Sequence, residues 1–337
     1  MIDLRSDTVT RPTQGMMEAM MNASVGDDVY REDPSVNELE AYTAELTGME
    51  ASIFMPTGCM ANLTALYISG GRGNEVLCHP MSHIMQYELA SPASIAQVML
   101  VQVPGDRGLL NAASLEPYIK EKELLGSYPT LISLENSANR AGGSCYSLEQ
   151  IKEISSLARS REILVHMDGA RSANAALARG YSLKEMCQYT DSLTLCLSKG
   201  LGAPVGSMLC GSASFINQAR RVRKLLGGGM RQAGYLAAAG LYALKHHMDR
   251  LEDDHRHAQI IAQAAAQSSS LDINLDEVET NIIKVSTGNI PTSEIIRRLS
   301  AQGIAANPMG RNAVRFVTHL DISSEDAERA ARIIKSL

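Results

Sequence analysis

The apolar positions of the chain follow two patterns, short dense runs and longer stretches of helical spacing. The dense runs predict buried strands at 51–55, 76–78, 97–103, 130–134, 163–167 and 193–197. Helical spacing lies between most of them and predicts helices over 13–22, 34–47, 60–69 and 147–160. The helix over 34–47 has capping signals at both ends, since Asp33 and Pro34 open it and Gly48 closes it. Apolar strands separated by helices indicate an α/β fold with a mainly parallel sheet that helices cover on both faces.

The C-terminal part of the chain changes this pattern. Residues 208–210 follow a short glycine-bounded loop and predict an antiparallel strand, and 235–267 predict one long helix that leaves the sheet. Strands at 282–285 and 314–317 then alternate with amphipathic helices over 292–302 and 323–335. We therefore expect a large domain over 1–245, with a polar N-terminal arm at 3–12, and a small C-terminal α+β domain over 246–337.

Composition excludes several classes of protein. With 45% apolar and 20% charged residues and a net charge of −6, the chain has ordinary globular composition and no basic surface for nucleic acid or membrane lipids. It has neither an 18-residue apolar run nor an apolar signal segment at its start. The six cysteines have no Cys-x-x-Cys spacing, which favours reduced thiols in a cytoplasmic protein over a disulfide or zinc framework. The methionines at 16, 17, 20 and 21 are expected to fill core gaps.

Two polar side chains follow predicted strands of the sheet. Lys199 comes directly after the run 193–197, and Asp168 directly after 163–167. If the two strands are neighbours, the amine and the carboxylate face one crevice at the carboxyl edge of the sheet. Pyridoxal phosphate (PLP) needs such a pair, a lysine for a Schiff base and an acid for its pyridine nitrogen. Taken singly, Lys199 also fits a solvated loop lysine, Asp168 a helix cap, and Arg171 a surface ion pair.

Two glycine-containing turns are candidate anion sites. Gly58 lies in a strand–turn–helix at 56–62, where free backbone N–H groups suit a phosphate, and Ser198 offers a further hydroxyl. Three glycines at 227–229 are flanked by Lys224 and Arg231 and allow close approach to a ligand or a second subunit. An ordinary turn and a flexible hinge are the respective alternatives.

Taken together, eight sequence blocks resemble the PLP-dependent L-threonine aldolases of the β-eliminating lyase group. They lie at 3–12, 26–30, 56–62, 134–136, 166–171, 197–207, 227–232 and 314–319. The resemblance implies PLP fold type I, with a seven-stranded, mainly parallel sheet and a small C-terminal domain. It also implies a homodimer or homotetramer with shared active sites.

The resemblance assigns roles to residues around the cofactor. Lys199 would carry PLP as a Schiff base, Asp168 would pair with the pyridine nitrogen, and Arg171 would lie near the 3-hydroxyl. His83 would stack on the ring. Gly58 and Cys59 would hold the phosphate, with help from Ser198 and from Lys224 of a second subunit.

The resemblance also assigns residues to the substrate. Ser6 and Arg315 would bind the amino acid's carboxylate beside Arg171, since a guanidinium binds two oxygens in its own plane. Tyr30 and Tyr87 would line the site from the neighbouring chain, and Arg231 would lie near it. No metal is expected.

The implied reaction is retro-aldol cleavage of L-threonine, L-allo-threonine or related β-hydroxy-α-amino acids to glycine and an aldehyde, with His83 or a water as the base. Two positions depart from the family pattern: Ala138 stands where a histidine is usual, and Cys59 where a threonine is usual. Two alternatives therefore remain. One is PLP-dependent β-elimination, racemisation or transaldolase chemistry on a specialised amino acid, and the other is a PLP-binding protein without activity.

Overall fold

A central seven-stranded sheet organises the larger part of the computed structural model, which describes all 337 residues. Its strand order is β2-β8-β7-β6-β5-β3-β4. The strands are β1 (Ile2–Asp3), β2 (Ala51–Met55), β3 (Glu75–Cys78), β4 (Met99–Gln102), β5 (Pro129–Glu135), β6 (Leu164–Gly169), β7 (Ser192–Cys196), β8 (Ser207–Gly211), β9 (Ile282–Ser286), β10 (Ile304–Ala305), β11 (Asn307–Pro308) and β12 (Ala313–Val317). β8 pairs antiparallel with both β2 and β7, and the other pairs of this sheet are parallel. The predicted mainly parallel sheet and the predicted antiparallel strand are confirmed.

Helices cover both faces of this sheet. They are α1 (Gln14–Met21), α2 (Pro34–Thr47), α3 (Gly58–Ser69), α4 (His83–Gln86), α5 (Ala112–Leu115), α6 (Leu148–Ser160), α7 (Ser172–Arg179), α8 (Leu183–Cys187), α9 (Ala213–Leu225), α10 (Gly234–His246), α11 (Leu251–Ala265), α12 (Thr292–Ala301) and α13 (Ser324–Lys335). Successive residues of β8 enter different cores: Met208 packs with α2 and α10, and Leu209 packs with α3 and α9. None of the helices combines the length and the apolarity that crossing a membrane requires.

The prediction of one long helix over 235–267 is wrong. The segment forms α10 and α11, with a turn at 247–250 between them. Two side chains of this turn bind the loop after Lys199: His247 Nδ1 donates to the carbonyl of Leu201 at 2.8 Å, and Arg250 Nη1 donates to that of Gly200 at 3.3 Å. The turn therefore fixes the backbone that carries the candidate lysine.

The C-terminal part has its own three-stranded antiparallel sheet, of order β11-β12-β9, and its own core. The N-terminal strand β1 pairs in parallel with β10, and the buried Ile2 and Leu4 belong to this C-terminal core. The arm that follows is therefore anchored at its start. The predicted domain boundary near 245 stays a prediction.

Only part of the methionine cluster fills a core. Met16 is fully buried against α10, and Met20 packs partly against the same core. Met21 is 82% exposed and Met17 is also exposed, so the expectation is wrong for these two residues. The helix α1 carries them on its outer face.

Asp33 links α2 to α10, and its loss should destabilise the fold. It is fully buried, and its carboxylate accepts from Val36 N at 3.1 Å and from Gly234 N at 2.8 Å. An Asp33→Ala variant leaves two buried N–H groups unpaired, so we expect its free energy of unfolding to fall by about 2–3 kcal/mol in urea titrations. Asn111→Ala, which removes the exposed cap of α5, is the control and should cost about 1 kcal/mol or less. Equal losses in the two variants would contradict this assignment.

Candidate active site

Asp168 ends β6 as an almost fully buried carboxylate. Its Oδ2 accepts from Asn62 Nδ2 at 2.8 Å, and its Oδ1 accepts from Ala170 N at 3.2 Å. Asn62 lies on α3, so this bond ties the edge of the sheet to the helix that follows the Gly58 turn. The carboxylate is held by neutral donors and has no cationic partner in the chain. It is therefore an acceptor ready for a positively charged ring nitrogen.

Lys199 faces the same cavity, as its position after β7 predicts. A cavity of about 280 Å³ is lined by the ends of β6 and β7, the first turn of α3 and the loop 204–206. The Lys199 amine contacts Cys196 Sγ at 3.5 Å and forms no ion pair. A second cavity, of about 480 Å³, also reaches Lys199 and His83. The amine therefore lies where two cavities meet.

The Gly58 turn has the shape of an anion cradle. Thr57 caps α3, its hydroxyl accepting from Met60 N at 3.1 Å, while the N–H groups of Gly58 and Cys59 have no partner within the helix. A Cβ atom on Gly58 would lie 2.9 Å from Cys196 Sγ, so a larger residue would require the Cys196 side chain to move. Desolvation raises the pKa of the Cys59 thiol to about 11, helped by the carboxylates of Glu88 and Asp168. Cys59 thus carries a neutral thiol beside this cradle, and Ser198 lines the same cavity.

The second cavity lies between the N-terminal arm and the small antiparallel sheet. It is lined by Ser6, Thr8, His83, Tyr87, Asn139, Arg140, Arg171, Lys199, Asn307, Pro308, Met309, Gly310 and Arg315. Four predicted substrate-binding residues, Ser6, Tyr87, Arg171 and Arg315, therefore come together. Ser6 accepts from both the backbone N and the hydroxyl of Thr8.

Arg171 is occupied by a partner that the sequence did not reveal. Its guanidinium binds the fully buried Asp7 through two bonds of 2.7 Å. Burial alone would raise the pKa of Asp7, but the Arg171 charge outweighs it and lowers that pKa to about 2. Arg171 is therefore not a surface residue, and the pair with Asp7 uses only its Nε and Nη2 atoms. Its predicted places beside the cofactor's 3-hydroxyl and the substrate's carboxylate stay predictions.

Arg315 has no carboxylate partner within the chain. On β12, its Nη1 donates to Asn139 Oδ1 at 2.6 Å and its Nη2 donates to the carbonyl of Arg5 at 3.0 Å. Both acceptors are neutral, and desolvation together with the nearby Arg171 lowers the pKa of this guanidinium. A carboxylate entering the second cavity would therefore find an uncompensated cation.

His83 lines both cavities and is held at two points. Its backbone N donates to Glu135 Oε2 at 2.6 Å, and its Nδ1 lies 2.8 Å from Glu88 Oε1. Its ring centre is 5.3 Å from that of Tyr87, whose hydroxyl accepts from Arg140 at 3.1 Å. Desolvation raises the pKa of the buried Glu135 to about 7.

Three predicted residues lie outside both cavities. Tyr30, Lys224 and Arg231 form an exposed surface, which we call the 224–231 surface; it comprises the loop 26–30, the end of α9 and the glycine turn. Arg231 pairs with Asp27 at 2.8 Å, and Lys224 forms no ion pair. Tyr87, by contrast, lines the cavity of its own chain.

Ala138 lies next to the second cavity without lining it. It is buried, and its methyl group would lie 2.9 Å from a Cβ atom placed on Gly108. Its neighbour Asn139 is the residue that reaches Arg315. Position 138 therefore offers the cavity no group that can donate or accept a proton.

The sequence reasoning missed the residues that hold the predicted ones in place. Asn62, Asp7, Glu88 and Glu135 are isolated polar residues in the sequence, and their partners are distant along the chain. The available signal for Asp7, Asn62 and Glu135 was their location inside the blocks 3–12, 56–62 and 134–136, and Glu88 lies outside every block.

Comparisons with known proteins identify the family and the fold. A family model described as Beta-eliminating lyase matches residues 3–287. The low specificity L-threonine aldolase of Escherichia coli (strain K12) is 42% identical over 332 residues, which are 98% of this chain and 97% of that protein. The probable low-specificity L-threonine aldolase 2 of Arabidopsis thaliana is 40% identical, over 97% of this chain and 94% of that protein. The solved structure of Leishmania major threonine aldolase has the same fold, with a TM-score of 0.85 at 17% identity and 99% of each chain covered.

The Asp7–Arg171 pair predicts a pH-dependent contribution to stability. In an Asp7→Asn variant the buried guanidinium loses its counter-charge, so we expect the free energy of unfolding at pH 7 to fall by about 3–5 kcal/mol in urea titrations. Because folding lowers the pKa of Asp7 from 3.8 to about 2, the contribution is present above pH 4 and lost as the pH falls toward 2. The deficit of the variant should therefore shrink between pH 5 and pH 3.

Asp3→Asn is the matched control, because Asp3 pairs with the exposed Arg5 on the same arm. It should leave the unfolding curve at pH 7 nearly unchanged. A deficit in Asp7→Asn that stays constant from pH 5 to pH 3 would contradict the assignment.

Proposed function

Because the chain belongs to the beta-eliminating lyase family, we propose that it is a PLP-dependent lyase that cleaves β-hydroxy-α-amino acids to glycine and an aldehyde. L-Threonine and L-allo-threonine are the proposed substrates. The single observation that carries the proposal is the convergence of Lys199, Asp168 and the Gly58 turn on one cavity of about 280 Å³. The names of the two relatives at 40% and 42% identity support the choice of reaction.

The residues of this cavity fit the cofactor. Lys199 has an amine without an ion-pair partner, and Asp168 is a buried acceptor held by neutral donors. Gly58 opens a helix at a point where a Cβ atom would crowd Cys196 Sγ. Lys199 would hold the cofactor's carbonyl carbon, Asp168 its pyridine nitrogen, and the N–H groups of Gly58 and Cys59 its phosphate. When bound, PLP supplies a conjugated ring that accepts the electron pair left at Cα as the Cα–Cβ bond breaks.

The second cavity suits the amino acid's carboxylate. Arg315 donates only to neutral oxygens, so its positive charge remains available, and Ser6 adds a hydroxyl. Arg171 holds the arm through Asp7 and contributes the shape of the wall. Binding the carboxylate at Arg315 fixes one end of the substrate. The Cα–Cβ bond is then oriented by the contacts of the rest of the amino acid with the cofactor cavity.

His83 is the proposed group for the β-hydroxyl proton. Glu88 accepts at Nδ1, which leaves Nε2 as the free ring nitrogen. A carboxylate at Nδ1 stabilises the imidazolium that forms when Nε2 takes a proton. Since Ala138 has no titratable side chain, this work falls to His83 or to a water that His83 binds.

The 224–231 surface supports a homodimer or homotetramer with shared sites. It joins unpaired Lys224 to exposed apolar side chains at Val29, Leu225 and Tyr235. Apolar surface beside an uncompensated cation is typical of a contact surface, and Lys224 would reach the phosphate of a second subunit's cofactor.

Product analysis tests the proposed reaction. The wild-type protein should release glycine and acetaldehyde in equal amounts from L-threonine and L-allo-threonine, and Lys199→Ala should lower that rate at least about 1,000-fold. Lys152→Ala, which removes an exposed lysine of α6, should retain full activity. Ammonia and a 2-oxo acid in place of glycine and aldehyde would replace the proposal by β-elimination.

Mixing two inactive variants tests the shared site. If Lys224 acts in the partner's site, a heterodimer of Lys199→Ala and Lys224→Ala contains one site with both lysines. Refolding the two variants together in equal amounts should therefore restore about a quarter of the wild-type activity. If Lys224 acts in its own chain, the mixture stays at the average of the two variants measured alone.

A further inference from the structure

A chain of hydrogen bonds connects His83 to Asp168 inside the protein. Glu88 Oε1 lies 2.8 Å from His83 Nδ1 and accepts from Asn62 Nδ2 at 3.0 Å. The same Nδ2 donates its other hydrogen to Asp168 Oδ2 at 2.8 Å. One carboxylate oxygen and one amide nitrogen thus join the two side chains proposed to contact the face and the nitrogen of the cofactor ring.

The remaining atoms of Asn62 are also fixed. Its Oδ1 lies 3.2 Å from Nε2 of the fully buried His166, whose Nδ1 lies 2.8 Å from Ser192 Oγ. Desolvation lowers the pKa of His166 to about 4, so this imidazole is neutral and donates through Nε2. The Asn62 amide therefore cannot flip, and both of its hydrogens are directed at carboxylates.

The burial of the Glu88 carboxylate does not contribute to the stability of the fold. Its side chain is 1% exposed, and its Oε2 has no hydrogen-bond partner. A buried carboxylate with an unpaired oxygen costs free energy that an apolar residue at this position would avoid. His83, whose Nδ1 lies 2.8 Å from Oε1, is the ionisable partner in contact with Glu88, and this contact becomes an ion pair when Nε2 takes a proton.

Several charged groups surround His83. Glu88 follows it in sequence, while Glu135 ends β5 and Asp168 ends β6. Burial by itself lowers the pKa of His83, but the Glu88 hydrogen bond and the three carboxylates outweigh it and raise that pKa.

The remaining neighbours change this balance little. The Cys59 thiol is neutral, and Arg140 donates to the hydroxyl of Tyr87. Lys199 lines the same cavities, but the main influences on the His83 imidazole are burial and the three carboxylates. The carboxylates are thus the dominant electrostatic influence on the imidazole.

We propose that Glu88 is a positioning residue that fixes the ring of His83 through its Nδ1 hydrogen, favours the uptake of a proton at Nε2 and, through the amide of Asn62, fixes the orientation of Asp168. The inference rests on the proposed function for the placement of the cofactor ring between these side chains. As a consequence, a displacement of His83 at the face of the cofactor ring also displaces Asp168 at the ring nitrogen.

Glu88→Gln tests the proposal, because it keeps the size of the side chain and the bond from Asn62 but removes the charge. Glu149→Gln on the exposed surface of α6 is the control for net charge. The readout is the titration of the His83 imidazole in ¹⁵N-histidine-labelled holoenzyme, assigned with His83→Asn. We expect Glu88→Gln to lower the midpoint by about one pH unit and Glu149→Gln to leave it unchanged.

The visible absorbance of bound PLP against pH gives a second readout. We expect its midpoint to shift in Glu88→Gln and the shift to disappear when His83→Asn is also present, since Glu88 would then have no imidazole to act on. Asn62→Ala should raise the dissociation constant of PLP about tenfold by releasing Asp168. Thermal unfolding of each variant identifies any loss of fold.

The outcomes separate this inference from the proposed reaction. A His83 midpoint in Glu88→Gln within about 0.2 unit of the wild type, or an equal absorbance shift with and without His83, overturns the positioning role. If the wild type releases no glycine and aldehyde but both midpoints move as expected, the proposed reaction fails and the positioning role of Glu88 holds.

Discussion

The parallel pairing of β6 and β7 is the constraint on which the candidate site depends. Because parallel neighbours end at the same edge of the sheet, the carboxylate after β6 and the lysine after β7 must face one crevice. The register places Asp168 beside Thr194, so Lys199 lies only a few residues beyond the same edge. The antiparallel β8 then turns the chain back, and His247 and Arg250 hold the connecting loop by its carbonyls. The backbone therefore limits where the Lys199 amine can go before any ligand arrives.

Charge distribution explains why neighbouring arginines play different parts. Arg171 is deeply buried and requires a counter-charge, which Asp7 supplies from the N-terminal arm. Arg315 is half-buried and donates only to an amide oxygen and a backbone carbonyl. It can therefore bind a substrate carboxylate without breaking an ion pair within the chain. The arm is itself anchored by β1 in the C-terminal core. Anchoring the arm thus completes the wall of the second cavity and leaves one cation free for the substrate.

Sequence patterns predicted the strands and helices that have a clear apolar periodicity of their own. They failed where contacts between residues distant in sequence determine the structure. The strands of the large sheet are apolar runs, so their bounds followed from periodicity. The segment 247–250 contains neither glycine nor proline, and its turn is accompanied by contacts from His247 and Arg250 to the Lys199 loop, which no local signal shows. β1 has two residues and is too short for any period. For the site, Lys199 and Asp168 were identifiable because each follows a strand, whereas Asn62 and Glu88 matter only through partners that folding brings to them.

The two departures from the family pattern act on the same part of the site. Ala138 is buried beside the second cavity, and its methyl group can neither donate nor accept a proton. Cys59 holds a neutral thiol, so it cannot supply the missing base either. In the proposed reaction, the proton of the substrate's β-hydroxyl is therefore left to His83, the imidazole that lines both cavities. A site with one such imidazole depends strongly on what sets its charge, and in this chain that group is the buried carboxylate of Glu88, which also reaches Asp168 through Asn62.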